Sequence, residues 1–224
     1  MMASMAPLTS TGRGQTLRER KRERTRRALI DAATDLFERR GYEQTTIADI
    51  AAAAEIGTRT FFSYFASKED LLFPESDARV QATVDAIATR RPDDRPADVL
   101  LRALQLVGEA GGARADRRAA LQARLTQTVP AVRAHGLQLQ LAAQREIARH
   151  LAEAFPGELD EVSAAALVGA FIGAITGALQ VLLEGPETNQ DPQQLRNKLR
   201  QATQLALDPW LQPGRRGEPN RSER

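Results

Sequence analysis

Cysteine is absent from the 224 residues, which excludes disulfides, thiolate metal sites and a cysteine nucleophile. Histidine occurs only as His135 and His150, and neither stands in an HExxH run. The chain has no GxSxG and no GxxxxGK[ST] run, and GEAGG at 108–112 lacks the spacing and strand context of a dinucleotide-binding turn. The carboxylates fall mostly at helical spacing with arginine, as on a solvated face. An enzyme is therefore not expected, and neither is a cofactor or a metal. The opening MMASMAPLTSTGRGQT has no apolar stretch of signal-peptide length, so the expected location is cytoplasmic, which the missing cysteines also fit. Aromatic residues are scarce as well. Only ten occur, yet seven of them lie between Phe37 and Phe73.

Charge is present in ordinary amount but unevenly placed. Residues 1–40 carry ten Lys+Arg against five Asp+Glu, a balance of +5, which leaves −3 for residues 41–224 of the net +2. A basic front on a mildly acidic body points to a polyanion met at one end. The densest part is RERKRERTRR, 18–27, with seven basic and two acidic residues. It reads equally as a solubilising tail or as an arm reaching the nucleic-acid backbone or a neighbouring minor groove. Residues 1–17 are expected to be a disordered tail and 213–224 a loose one.

From Ala28 the pattern is helical throughout, and no stretch alternates with period two long enough for a strand. The expected architecture is all-α in two modules, 18–66 and 67–212. In the first, ALIDAATDLFERRG places Leu29, Ile30, Ala33, Leu36 and Phe37 at helical spacing and stops at Gly41. Thr45 and Thr46 open a second helix with Ile47, Ile50 and Ala51 on one side. After EIG a short third helix, TRTFFSYF, is expected, and a fourth from Ser67 to about Thr89, with SKED as a variant capping box. Later breaks are expected at residues 108–116, 128–136, 155–160 and 184–192.

A helix, a tight turn and a short second helix rich in Thr, Arg and Tyr is the pattern of a helix-turn-helix reader of double-stranded DNA. Thr58 and Arg59 would lead into the major groove, where arginine can grip guanine in bidentate fashion. Phe61 and Phe65, four apart, would point inward, because a module of about 50 residues needs large rings to bury enough apolar area. Thr60, Ser63 and Tyr64 would face phosphates, and Lys68 would add another such contact. Thr45 and Ser67 read equally well as helix caps alone, and Tyr64 also reads as a half-buried core residue.

Residues 25–73 resemble the N-terminal domain of the TetR family of transcriptional repressors. ALIDAATDLFERRGYEQTTIADIAAAAEIGTRTFFSYFASKEDLL keeps that family's order and spacing down to the closing YF.SKE.LL. The resemblance implies a cytoplasmic homodimer with a three-helix DNA-binding domain and a helical C-terminal domain that binds a small effector and dimerises. By position it implies backbone contacts from Thr45 and Thr46, recognition by Thr58, Arg59 and Thr60, and phosphate contacts from Phe62, Tyr64 and Lys68. The RTFF.YF.SKEDLLF form is similar to actinobacterial regulators related to the mycofactocin-type regulator, whose ligands are acyl-CoA-like. Three residues depart from the family's pattern. Glu55 stands where Gly is frequent and would be strained in a left-handed turn, Gly57 replaces a capping Ser, and Phe62 replaces a Tyr whose hydroxyl would reach phosphate.

In the second half, Val162 to Leu183 carries no charge over a length that could cross a bilayer. Its Ala/Gly richness and acidic flanks argue against a membrane, so no membrane partner is expected. The resemblance instead implies a four-helix dimer interface made by 160–184 and about 192–210 of each subunit. Gly169, Gly173 and Gly177 would form a ridge that lets a neighbouring helix approach closely, within the subunit or across the dimer. An apolar or acyl-bearing effector would lie among the helices of 97–185. Gln138, Gln144, His135 and Arg102 are the polar groups that could orient it, although surface placement suits each better, and no pocket residue is assigned. The rival to a specific reader is an architectural protein that binds DNA without sequence preference through its basic arm alone.

Overall fold

The computed structural model describes residues 16–108, 113–184 and 192–211, and among these every regular element is helical. They group into two compact units that divide between Leu71 and Leu72, a few residues past the expected boundary after 66. The two expected tails, apart from Thr16 and Leu17, lie outside the described residues. So do the centres of the breaks expected around 110 and 188.

The first unit begins with α1, Leu17–Arg40. Thr16 caps it reciprocally with Glu19: the hydroxyl accepts from the Glu19 N–H at 3.2 Å, and the Glu19 carboxylate accepts from the Thr16 N–H at 2.8 Å. The basic run 18–27 is thus helical and continuous with the core helix. Arg39 and Arg40 favour the last turn electrostatically, and Gly41, at φ 89°, takes a backbone angle that a side chain would oppose. Next come α2, Ile47–Ala53, and α3, only Thr58–Phe61. Past Phe61 the chain still winds, but through tighter bonds: Ser63 N–H to Thr60 O at 3.0 Å and Tyr64 N–H to Phe61 O at 2.8 Å. The expected eight-residue helix is therefore half helix and half turn.

The expected fourth helix from Ser67 is corrected. The Ser67–Asp70 capping pair forms, with Asp70 accepting from the Ser67 N–H at 3.2 Å, but it opens a single 3-10 turn, Glu69–Leu72. Pro74 disfavours helical geometry at Phe73, so α4 starts only at Ser76 and runs to Ala88.

In the second unit α4 is followed by α5, Pro96–Gly108, α6, Ala113–Thr128, α7, Pro130–Ala154, α8, Glu161–Glu184, and α9, Pro192–Leu211. One apolar core joins all of these but α6: Ile87 of α4, Leu100 and Ala103 of α5, Leu151 of α7, Leu167, Val168 and Phe171 of α8, and Leu207 of α9. The break expected over 128–136 shrinks to Val129, after which Pro130 occupies the first turn of α7 where its missing N–H costs nothing. Gly136 lies inside α7, where an added Cβ would come within 3.1 Å of the Phe73 ring that also packs on His135. Arg102 is tied to Asp94 at 2.5 Å and to Ala86 O at 3.2 Å, so it is a structural strut between loop and helix. Glu75 pairs with Arg79 at 3.1 Å and with Arg118 of α6.

The glycine ridge of α8 divides. A Cβ on Gly169 would meet the Gln144 amide of α7 at 3.0 Å, whereas Gly173 and Gly177 face open space. Val162 and Val181, at the two ends of α8, are 78% and 71% exposed, and Leu205 on α9 is 78% exposed. Among the described residues α8 is the one helix long and apolar enough to cross a membrane. Trp210, near the end of α9, is 38% exposed.

Two carboxylates close the loops of this unit. Asp94 is held below the usual range first by the Arg91 N–H and then by Arg102, and Asp160 by the Ser163 N–H at 2.7 Å. Because folding lowers these pKa values, their stabilisation is whole above the ordinary value of 3.8 and disappears as pH falls through the folded values. Urea midpoints should therefore hold steady down to about pH 5 and drop below about pH 4, and Asp94→Asn with Asp160→Asn should flatten that drop. An acid limb unchanged in the double variant would assign it to other carboxylates.

Candidate nucleic-acid interface

The first unit is organised around rings that its sequence keeps inside. Phe37 and Phe61 are almost fully buried, and Phe61 meets Phe65 at 6.0 Å between centroids. Leu29, Ile30, Leu36 and Ile50 complete the core. With Phe61 fixed, the three residues before it, Thr58, Arg59 and Thr60, are all exposed on the first turn of α3. Phe62 and Ser63 are exposed too, Phe62 at 55%, and Tyr64 is half-buried.

The turn that delivers α3 is strained. Glu55 has φ 57°, the left-handed conformation in which a side chain costs roughly 1–2 kcal/mol. It persists because the turn's donors are satisfied: the Ile56 N–H reaches Ala51 O at 2.9 Å and the Glu55 N–H reaches Ala52 O at 3.0 Å. Gly57 caps α3 with backbone alone, in ordinary extended geometry at φ −77°.

The threonines that open α2 separate. Thr46 is exposed and caps the helix, accepting from the Asp49 N–H at 3.1 Å. In return its hydroxyl and N–H hold Asp49 below the usual carboxylate range. Thr45 is fully buried, its hydroxyl donating to Gly41 O at 2.7 Å, so it shapes the approach to α2 and presents no hydroxyl outside. Lys68 also turns inward. Its ammonium donates to Tyr42 O at 2.8 Å and Thr45 O at 3.1 Å, and lies 3.9 Å from the centre of the Tyr42 ring. Tyr42 in turn donates to Glu69 at 2.5 Å, and burial first, then this bond, pushes its hydroxyl far above the ordinary range. The expected outward phosphate donor is, in this structure, a clasp from the residue before the 3-10 turn to the loop between α1 and α2.

Sequence reasoning also missed two contacts of the basic run. Arg22 stacks over Tyr64 at 5.2 Å and donates to Ser63 O at 3.3 Å, while Arg26 stacks over Phe65 at 5.2 Å. The only hint was arithmetic: two arginines one helical turn apart and two adjacent rings.

The surface that results is a short helix with a polar, cationic first turn on a rigid aromatic base, shaped to enter a groove and donate to base edges and phosphates. The profile of the family described as bacterial regulatory proteins, tetR family, matches residues 29–73. Over 158 residues the chain is 34% identical to the HTH-type transcriptional regulator TcmR of Streptomyces glaucescens, covering 68% of this chain and 70% of that one. A shorter stretch of 74 residues is 35% identical to MftR of Mycobacterium tuberculosis, named for regulation of mycofactocin biosynthesis, covering 32% of this chain and 37% of that one. Among solved structures, Thermus thermophilus FadR, a TetR-family transcriptional repressor in complex with lauroyl-CoA, shares the fold with a TM-score of 0.53. It is 22% identical, over 87% of this chain and 99% of that one.

The strained turn makes a stability prediction. Glu55→Gly should raise unfolding free energy by about 1 kcal/mol, the strain relieved less the entropy glycine adds to the unfolded chain. Gly57→Ser, whose Cβ would meet nothing within 4 Å, should add a few tenths of a kcal/mol as a side-chain cap. Urea denaturation of both variants checks this, and a destabilised Glu55→Gly would mean that the carboxylate holds the turn.

Proposed function

The chain belongs to the TetR family of bacterial regulatory proteins, and from that membership we propose that it is a ligand-responsive, sequence-specific repressor acting as a homodimer on a near-palindromic operator. One observation carries the reading. Thr58, Arg59 and Thr60 stand exposed on one helical turn whose next residue, Phe61, is fully buried, so base-reading groups project from a fixed base. Arg59 and Thr58 read base edges. Thr46, Thr60, Ser63 and Tyr64 donate to phosphates, Phe62 packs against the sugar-phosphate backbone, and Thr45 and Lys68 hold the ends of these elements in register. Such a specific surface favours an operator over indiscriminate binding.

The second copy docks on the face of α8 and α9. Val162, Ala166, Gly173, Gly177 and Val181 recur along α8 at helical spacing, exposed and apolar or small, with Leu205 of α9 exposed as well. Burying that face against its twin explains why so apolar a helix needs no bilayer. The effector is small and apolar or acyl-bearing, which suits a core of Leu, Val, Ala and Phe171. It binds better to the state that releases DNA and shifts the population by no more than that differential affinity.

Two experiments test the reading. Footprinting on DNA upstream of the chain's own gene should show a short protected near-palindrome, and Arg59→Ala should weaken protection by about 1–3 kcal/mol and relax one position in each half-site. A long-chain acyl-CoA should lift the protection, and failure across a series of chain lengths removes the acyl part of the proposal. Uniform protection unaffected by Arg59→Ala would favour the architectural alternative. For the dimer, light scattering should give a dimeric mass for the wild type and a monomeric one for Gly173→Arg or Val181→Arg. A dimer that survives both variants places the interface elsewhere.

A further inference from the structure

The basic run of α1 carries seven cations, which composition alone leaves to solvent or to a polyanion. Arg27 pairs with Glu23 at 2.9 Å on the same helix, and two others meet the rings of the reader. Arg22 lies over the Tyr64 ring and donates to the preceding carbonyl, that of Ser63, while Arg26, one turn later, lies over Phe65. What they hold is the segment 63–65, which leaves the four residues of α3 through a turn. A helix so short has negligible stability of its own, and its continuation is held by i→i+3 bonds. Phe61 and Phe65 take their fixation from burial, whereas Tyr64 between them is only half-buried and needs more of it. A guanidinium supplies it from the side. Its Cζ lies 5.2 Å from the ring centre while Nη2 donates to the adjoining carbonyl, tying the ring and the carbonyl together.

We propose that Arg22 is a positioning residue of the DNA-reading surface, acting through Tyr64 and the Ser63 carbonyl instead of touching DNA. The proposal rests on the reading of this surface given above. Arg22 and Arg20 are both exposed, and what separates them is that Arg22 holds a ring and a carbonyl of the reader.

The test uses the full chain and the duplex that the wild type selects from a random-sequence pool, titrated over a range of salt. Arg22→Ala should weaken specific binding about five- to tenfold while leaving the slope of log affinity against log salt unchanged, whereas loss of a phosphate contact would lower that slope by about 0.9. Arg22→Lys should not restore affinity, because an ammonium has neither plane nor fork. In a double-mutant cycle with Tyr64→Phe, which keeps the ring and removes the hydroxyl, Arg22→Ala should cost less than in the wild type. A slope lowered by about 0.9, full rescue by lysine, or additive costs would each overturn the proposal. Amide exchange in the DNA-free protein separates the two levels of failure. If no duplex is selected, the reading of the surface fails and the proposal falls with it. If a duplex is selected but exchange at Tyr64 and Phe65 is the same in Arg22→Ala as in the wild type, the proposal alone falls.

Discussion

Phe61 is the point on which the reading surface hangs. A helix of four residues cannot fold by itself, since nucleation costs more than its few hydrogen bonds return. It exists here because its last residue is a ring buried completely, 6.0 Å from the ring of Phe65. That requirement explains the concentration of aromatics in one segment of an aromatic-poor chain. The unit has too little volume for a core of aliphatic residues alone, and every ring spent inside frees a neighbouring position to be polar and exposed. Thr58, Arg59 and Thr60 are available to solvent because Phe61 is not.

The same economy governs the charges. Lys68 and Arg22 look in the sequence like two more cations for a polyanion, yet each is attached to a ring and a backbone carbonyl within the unit. Charge-assisted bonds to carbonyls at segment ends satisfy acceptors that short helices leave open. The unit thus uses part of its positive charge as internal fastening, which suits a domain whose elements are too short to satisfy their own ends.

Much of this was legible from residue order. The stop at Gly41 and the inward pair Phe61 and Phe65 each follow from a local rule with few competitors, whereas the left-handed turn at Glu55 was suggested by the resemblance, through the glycine frequent there. The start of α4 was not legible, because Ser67–Asp70 is a sound capping box whose helix is cut short by Pro74, and the nearer signal masked the stronger one. Nor was the run of α7 through Gly136, where glycine serves the approach of Phe73, a residue far away in sequence. The ring contacts of Lys68, Arg22 and Arg26 lay wholly beyond local rules. A long cationic side chain chooses between solvent and a ring only once the fold has brought the ring near.

The distribution of aromatics also divides the molecule optically. Its single tryptophan, Trp210, sits partly exposed near the end of α9, while both tyrosines, Tyr42 and Tyr64, belong to the other unit. Tryptophan emission therefore reports on the helical bundle alone, and near-ultraviolet tyrosine bands report on the reader alone. Unfolding followed at the two signals reads two separate transitions wherever the units melt apart, and a single shared one wherever they melt as one.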